Sequence, residues 1–418
     1  MSIIKNSVWN LFGYAIPTLI AIPSLGFLAR GLGPEGFGVY TIAIALVGYA
    51  GIFDVGLTRS VIREIAIHRD NHHERTKVIS TSTSFLVLFS CFGAFLLLIF
   101  SDGIVNYLKI SGVEHSDIQL AFKLLAICIP LFILNQLWSA ILEGDEKFGI
   151  VNIQKSISSS CIAGIPAIFV FYSATLSAAV AGLIFARVIS ILVSAYYVRN
   201  DIKISGVHFC YKTFKRLFFF GGWMTVSNII SPVMVYFDRF IVSNIMGADK
   251  VAFYSAPAEV ILKLGIIPAA IGRAVFPRLS NIKDFKEFKR NVNKSLLLMF
   301  LICLPVIIIG LLYSGLVLKI WFGENYQINS FKILNVLLIG FFFNALAMIP
   351  FSAIQALGKS KITALIHCAE LVPYLALLYF MVEKYGLLGA AISWSIRVIL
   401  DALLLQWLYT RMCSVYED

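Results

Sequence analysis

Twelve long apolar runs, most of them close to the length of a bilayer-spanning helix, dominate this chain of 418 residues. A hydrocarbon core of about 30 Å takes roughly 20 residues of α-helix. Only helices and closed barrels can satisfy their backbone there, and the runs are too continuous for the alternation of a barrel strand. They predict an all-α membrane protein with spans at 8–29, 37–53, 78–100, 120–142, 151–172, 177–198, 217–246, 251–274, 295–313, 331–355, 362–382 and 388–409. The seventh is long, so it is expected to be tilted or broken near its end. Composition agrees: 59% of residues are hydrophobic and 14% charged, against about 25% charged in soluble domains. The apolar stretch after Lys5 runs to Ala29, longer than a signal-peptide core, and reads as the first span.

The net charge of +11 would point to nucleic acid in a soluble protein. Here it sorts by loop. With the N-terminus cytoplasmic, inner segments hold 21 Lys and Arg, outer segments hold 5, and 8 lie within spans. The positive-inside rule then places both termini in the cytoplasm of a multi-pass protein. No loop is long enough for a folded catalytic domain, and Ser, His and Asp form no nucleophile motif. The seven cysteines stand far apart, without metal or redox spacing. His68, His72 and His73 share a loop with Arg69, Arg75 and Lys77, which reads as a basic surface against anionic lipid rather than a metal site. Neither a metal nor a cofactor is expected.

The two halves resemble each other. Gly33 and Gly247, Tyr40 and Tyr254, Trp9 and Trp223, and Gly144 and Gly358 are all 214 residues apart; Arg187-Val188-Ile189 recurs as Arg397-Val398-Ile399 at offset 210. Six spans per repeat give halves of parallel topology, related by a pseudo-two-fold along the membrane normal. The expected division is an N-terminal lobe over 1–200, a cytoplasmic linker over 201–216 and a C-terminal lobe over 217–418. Repeated halves around a central cavity favour an alternating-access transporter.

The segment Arg30–Tyr40, RGLGPEGFGVY, resembles the R-x-L-G-P-x-x-F-G-x-Y signature of bacterial polysaccharide exporters. These are the O-antigen flippases (Wzx) and relatives in the multidrug/oligosaccharidyl-lipid/polysaccharide superfamily, whose fold is MATE-like. Phe53-Asp54-Val55-Gly56-Leu57 with Arg63-Glu64-Ile65-Ala66, Phe237-Asp238-Arg239-Phe240 with Gly247, and Phe322-Gly323-Glu324-Asn325-Tyr326 match further motifs in register. Twelve spans suit the O-antigen branch. The resemblance implies a flippase that turns undecaprenyl-diphosphate-linked oligosaccharide from the cytoplasmic to the periplasmic leaflet of the bacterial inner membrane. It also implies coupling to H+ or Na+ and work beside a polymerase and other assembly proteins. The glycines around Pro34 form no phosphate-binding loop, since no strand precedes them and no Gly-Lys-Ser follows; they read as a tight turn.

Charges inside spans cost at least about 2.5–3.5 kcal/mol each, so they normally face a cavity or a partner. Arg187 and Arg397 lie mid-span at equivalent places and offer forked donors to a diphosphate. Asp401, four residues after Arg397, could instead neutralise it. Arg30, Asp238 and Arg239 complete the candidate substrate-binding set, although the last two could equally anchor span seven at the interface. Glu370 sits mid-span in span eleven; with Asp401 and Glu259 it forms the candidate ion-coupling set, while Glu259 and Lys263, four apart, could pair with each other. A multidrug antiporter of the same superfamily would prefer an acidic, aromatic cavity, and an integral-membrane glycan polymerase or ligase would need a large outer loop; the sequence favours neither.

Overall fold

A computed structural model describes the backbone of residues 3–417 except 70, 109, 111–113, 207, 281 and 283, and side chains from 16 onward except a few segments, chiefly 220–229. The side chains of Trp9, Trp223, Pro232 and Arg273 lie outside the described residues. The described chain forms thirteen α-helices: α1 (Ile3–Gly31), α2 (Gly33–Tyr49), α3 (Leu57–Ile67), α4 (His72–Tyr107), α5 (His115–Gly144), α6 (Phe148–Tyr172), α7 (Leu176–Ser205), α8 (Tyr211–Met246), α9 (Ala248–Leu264), α10 (Ile266–Ser280), α11 (Phe285–Trp321), α12 (Glu324–Ala356) and α13 (Ser360–Glu417). A 3-10 turn, Ala50–Asp54, joins α2 towards α3. Each expected span falls on helix. Nine helical stretches among the described residues are long and apolar enough to cross a membrane, and one of them, Lys361–Ser414, holds both the eleventh and twelfth expected spans. Gly386 (φ 61°, ψ −140°) kinks α13 between them. The eighth expected span is broken at Gly265 into α9 and α10.

The sequence sets these boundaries locally. Gly33 (φ 69°) and Gly247 (φ 98°) occupy the left-handed region at the α1–α2 and α8–α9 breaks, where a Cβ would strain the backbone. Pro34 then opens α2, a position that needs no N–H donor. Asn71 caps α4 by accepting from the Glu74 N–H at 3.2 Å, and Asp284 caps α11 through the Lys286 and Glu287 N–H groups. Asp117 of α5 reaches across to the start of α7, accepting from the Leu176 and Ser177 N–H groups at 2.8 and 3.1 Å.

Two compact units result: residues 1–240 with 247–249, and residues 241–246 with 250–418. In unit one α5 packs on α4 and α7, and α6 on α1 and α7; in unit two α12 packs on α11 and α13. Residues 217–240 group with unit one, later than the 216/217 division expected for the halves. The Ser60 hydroxyl donates to the Leu217 carbonyl (2.8 Å) and Arg239 Nη1 to the Thr41 carbonyl (3.2 Å), which ties that stretch to α2 and α3. The surface is apolar where lipid would lie. Leu88, Phe95 and Phe100 on α4 and Leu297, Leu301 and Leu312 on α11 are exposed, while serines such as Ser90, Ser190 and Ser194 are buried.

Helix α3 lies outside the twelve expected spans. It is amphipathic: Leu57, Val61 and Ile65, at spacing four, are fully buried against Val78, Ile133, Leu137 and Ile141, while Arg59 and Arg63 are exposed. A polar belt lies beside it. Arg75 of α4 donates two bonds to Asp145 (2.5 and 2.9 Å) and one to Asp201 of α7 (2.9 Å). Arg216 at the start of α8 pairs with Glu64 (3.0 Å) and Glu74 (3.1 Å). Burial alone would raise the Asp145 pKa, but the bonds from Arg75 and Lys147 outweigh it and hold the carboxyl below its usual range.

Candidate functional site

Unit one encloses a cavity of about 640 Å³. Its walls come from the end of α2 and the 3-10 turn (Gly48, Gly51, Asp54), α3 (Thr58, Arg59), α5 (Phe132, Asn135, Ser139, Glu143), α6 (Gln154, Lys155, Ser158) and α7 (Arg187). Helical spacing puts these groups on one face of each helix: 132, 135, 139 and 143 on α5, and 154 and 158 on α6. At its α3 end the carboxylate of Asp54, 3% exposed, accepts from the Thr58 N–H (3.1 Å) and hydroxyl, which ties the 3-10 turn to the first turn of α3. Lys155 and Glu143 neutralise each other at 2.6 Å.

The middle of the cavity is an amide–hydroxyl network. Gln154 Nε2 donates to Asn135 Oδ1 (3.0 Å) and to Ser194 Oγ (2.7 Å), and Ser139 Oγ donates to Gln154 Oε1 (3.0 Å). Arg187 stands over the Phe132 ring at 4.7 Å. Its Nε is buried without a hydrogen-bond partner, and it makes no ion pair among the described residues. The neighbouring ionisable groups are Cys128 and Tyr40, neither of them a carboxylate. A guanidinium in that position is an uncompensated charge turned to a polar cavity.

Unit two differs. Between the two halves of α13 lies a groove of about 530 Å³, lined by apolar side chains such as Leu365, Ile366, Leu400 and Leu404 around Glu370 and Arg397. Arg397 sits over the Tyr374 ring at 5.1 Å. Glu370 is not isolated: Asp401 and Arg397, from the other half of α13, are its neighbours. His367 approaches Asp401 at 3.8 Å and stacks on Phe351. The structure therefore brings Glu370, Arg397 and Asp401 together and adds His367, a residue the sequence reading passed over. Arg397 has acids beside it; Arg187 has none.

The remaining candidates lie elsewhere. Arg30 is exposed in the last turn of α1, outside the cavity lining. Asp238 and Arg239 are buried (4% and 2% exposed); Arg239 bonds Thr41 and lies over Tyr236 at 5.4 Å. Glu259 is half-buried on α9. The motif aromatics are packing residues: Phe37, Tyr40, Tyr254, Phe322 and Tyr326 are all buried. Sequence reasoning missed Asn135, Gln154, Ser139 and Ser194, which are neutral. Their signal was present as polar pairs four apart inside apolar spans, and Ser190 and Ser194 share the face of Arg187 on α7.

Residues 3–283, more than half of the chain, match the family model described as polysaccharide biosynthesis protein. The chain belongs to that family. Residues 224–380 also match the MatE model. The capsular polysaccharide biosynthesis protein CapF of Staphylococcus aureus is 25% identical over 48% of this chain and 51% of its own length. A probable low-salt glycan biosynthesis flippase of Haloferax volcanii is 22% identical over 96% of this chain and 82% of its own. Among solved structures, an inward-facing multidrug resistance MATE family transporter superposes with TM-score 0.81 at 16% identity, covering 98% of this chain and 99% of that one. The lipid II flippase MurJ in an inward closed conformation gives TM-score 0.80 at 19% identity, covering 97% and 87%. The chain is a multi-pass integral membrane protein with the MATE-like fold.

Proposed function

We propose that the chain is a flippase for lipid-linked glycans. It moves undecaprenyl-diphosphate-linked O-antigen or related polysaccharide repeat units from the cytoplasmic to the periplasmic leaflet of the bacterial inner membrane. The observation that carries this reading is Arg187: a cation with no carboxylate beside it, on the wall of a hydrogen-bonding cavity. A diphosphate supplies the missing negative charge in the fork geometry that guanidinium favours, and the amides and serines replace water around sugar hydroxyls.

In this account twelve spans form two six-helix halves of parallel topology with both termini cytoplasmic, and the halves rock to give alternating access. The cavity is lined by mid-span Arg187 and by Glu143 and Lys155, near the span ends that the charge bias assigns to the cytoplasm, and the head group enters from that side. Glu370 and Asp401, in an apolar groove with Arg397, are the place where H+ or Na+ couples to the cycle; Glu259 is a further acid for this role. Polymerase and other assembly proteins receive the product.

The test is an export assay in cells that depend on this chain. Arg187→Ala, alone and with Arg397→Ala, should abolish surface polysaccharide while membrane levels of the protein stay normal. Unchanged export would refute the role of Arg187. Resistance to cationic drugs conferred by the wild-type chain, without polysaccharide export, would favour the multidrug reading instead.

A further inference from the structure

Helix α11 carries two kinds of surface along one face. Lys286, Arg290 and Lys294 stand four residues apart, and Leu297, Leu301, Ile308 and Leu312 continue the same stripe at helical spacing. All seven are exposed. Phe288, Val292, Met299 and Cys303, on the opposite face, are buried. The exposed apolar surface runs from Leu297 to Ile320, and helix over that stretch rises about 35 Å. A hydrocarbon core of about 30 Å is thereby spanned. Lys294 and the residues before it then lie in the headgroup layer.

These cations lack acids of their own. In unit one Arg75 is answered by Asp145 and Asp201, and Arg216 by Glu64 and Glu74. At the far end of α11 itself, Lys319 pairs with Glu324 at 3.0 Å. Lys286, Arg290 and Lys294 form no ion pair among the described residues. Asp284 is committed to the Lys286 and Glu287 N–H groups, and Glu287 is exposed. With Lys289 and Asn293, the three cations line a groove of about 450 Å³ that reaches Leu297. The groove is made by side chains on the flank of the helix, not by its terminal N–H groups. Its complement is an amphiphile with an anionic head and apolar tails. A soluble anion would meet the cations and leave the leucines beside them without a role.

We propose that the start of α11 binds an anionic phospholipid of the surrounding bilayer. Lys286, Arg290 and Lys294 take the phosphate oxygens of its headgroup, and an acyl chain lies along Leu297 and Leu301. The site belongs to unit two and is independent of the cargo, so it does not rest on the flippase reading.

The test uses the purified full-length chain in a neutral detergent. It is titrated with dioleoylphosphatidylglycerol, dioleoylphosphatidylcholine and glycerol 3-phosphate as separate probes. Mass spectrometry of the intact complex counts what is bound, and unfolding temperatures check that each variant is folded. Wild type should hold phosphatidylglycerol at least tenfold more tightly than phosphatidylcholine. Each basic side chain near an anionic headgroup is worth roughly fivefold. Lys286→Gln/Arg290→Gln/Lys294→Gln should therefore weaken phosphatidylglycerol binding tenfold or more and abolish the preference. Arg290→Glu alone, a change at one exposed side chain, should move binding in the same direction if the triple variant is unstable. Lys203→Gln/Lys212→Gln/Lys215→Gln removes the same charge from exposed positions of unit one and should bind within twofold of wild type. Equal losses in the two triple variants would reduce the effect to the net charge of the chain and overturn the site. Folded α11 variants that bind phosphatidylglycerol like wild type overturn it as well, as does a wild-type chain with no preference between the two lipids. Glycerol 3-phosphate bound as tightly as phosphatidylglycerol would remove the acyl chain from the assignment and overturn the lipid as occupant. Arg187→Ala, which tests the flippase reading, should bind phosphatidylglycerol like wild type, so either reading can fail without the other.

Discussion

At the scale of single residues, the account turns on Arg187. Its desolvation is offset neither by an acid nor by a bond to Nε among the described residues. Arg187→Lys should keep the charge but lose the bidentate fork, so export is expected to fall about tenfold, between wild type and the null Arg187→Ala; a quantitative blot of surface polysaccharide reads the order. Glu370 gives a second prediction. Glu370→Gln cannot exchange a proton, so export should lose its dependence on the ion gradient; a variant that still responds to collapse of the gradient like wild type would remove Glu370 from the coupling set. The in-span charges were visible in the sequence because a charge in an apolar run is conspicuous. Asn135 and Gln154 were not, because a neutral amide carries no charge to mark it and serves commonly as a helix–helix hydrogen-bonding group in spans, and only the fold shows that α5, α6 and α7 bring three polar stripes together.

At the scale of elements, the long helices were legible because hydropathy over about 20 residues is a strong signal. Helix α3 was not. Its eleven residues carry two arginines and a glutamate, so a wide window averages its apolar stripe away, although Leu57, Val61 and Ile65 repeat every four residues. Each is fully buried, and Leu57→Ala is expected to cost about 2–5 kcal/mol through transfer and cavity terms, seen as a lower unfolding temperature. Because α3 carries Thr58 and Arg59 into the cavity wall, the same variant should also weaken export. The Arg75 belt adds a pH dependence. The Asp145 carboxyl is held below its ordinary value, so it contributes stability at pH above about 4 that is lost as pH falls through the lowered value. Arg75→Ala should lower the unfolding temperature at neutral pH and move the acid limb to higher pH. Thermal unfolding followed across pH 3–7 (roughly the carboxylate range) checks both.

At the scale of the whole molecule, the residue pairs expected to mark a repeat can be compared in the backbone. Gly33 (φ 69°) and Gly247 (φ 98°) both have positive φ at the starts of the 17-residue helices α2 and α9, and Tyr40 and Tyr254 are both buried. Offset-matching could not show the contrast in chemistry between the two units: unit one has a polar cavity bordered by Arg187, unit two an apolar groove around a mixed cluster. The compact units divide within α8, because contacts decide what packs with what. The central claim is that the unit-one cavity carries an anionic lipid head across a bilayer. The most direct measurement is the transfer between leaflets of undecaprenyl-diphosphate-linked oligosaccharide in proteoliposomes, read by access of a sugar-binding lectin added outside. The account predicts transfer with the wild-type chain and none above protein-free vesicles with an equal amount of Arg187→Ala; equal transfer by the two proteins would contradict it.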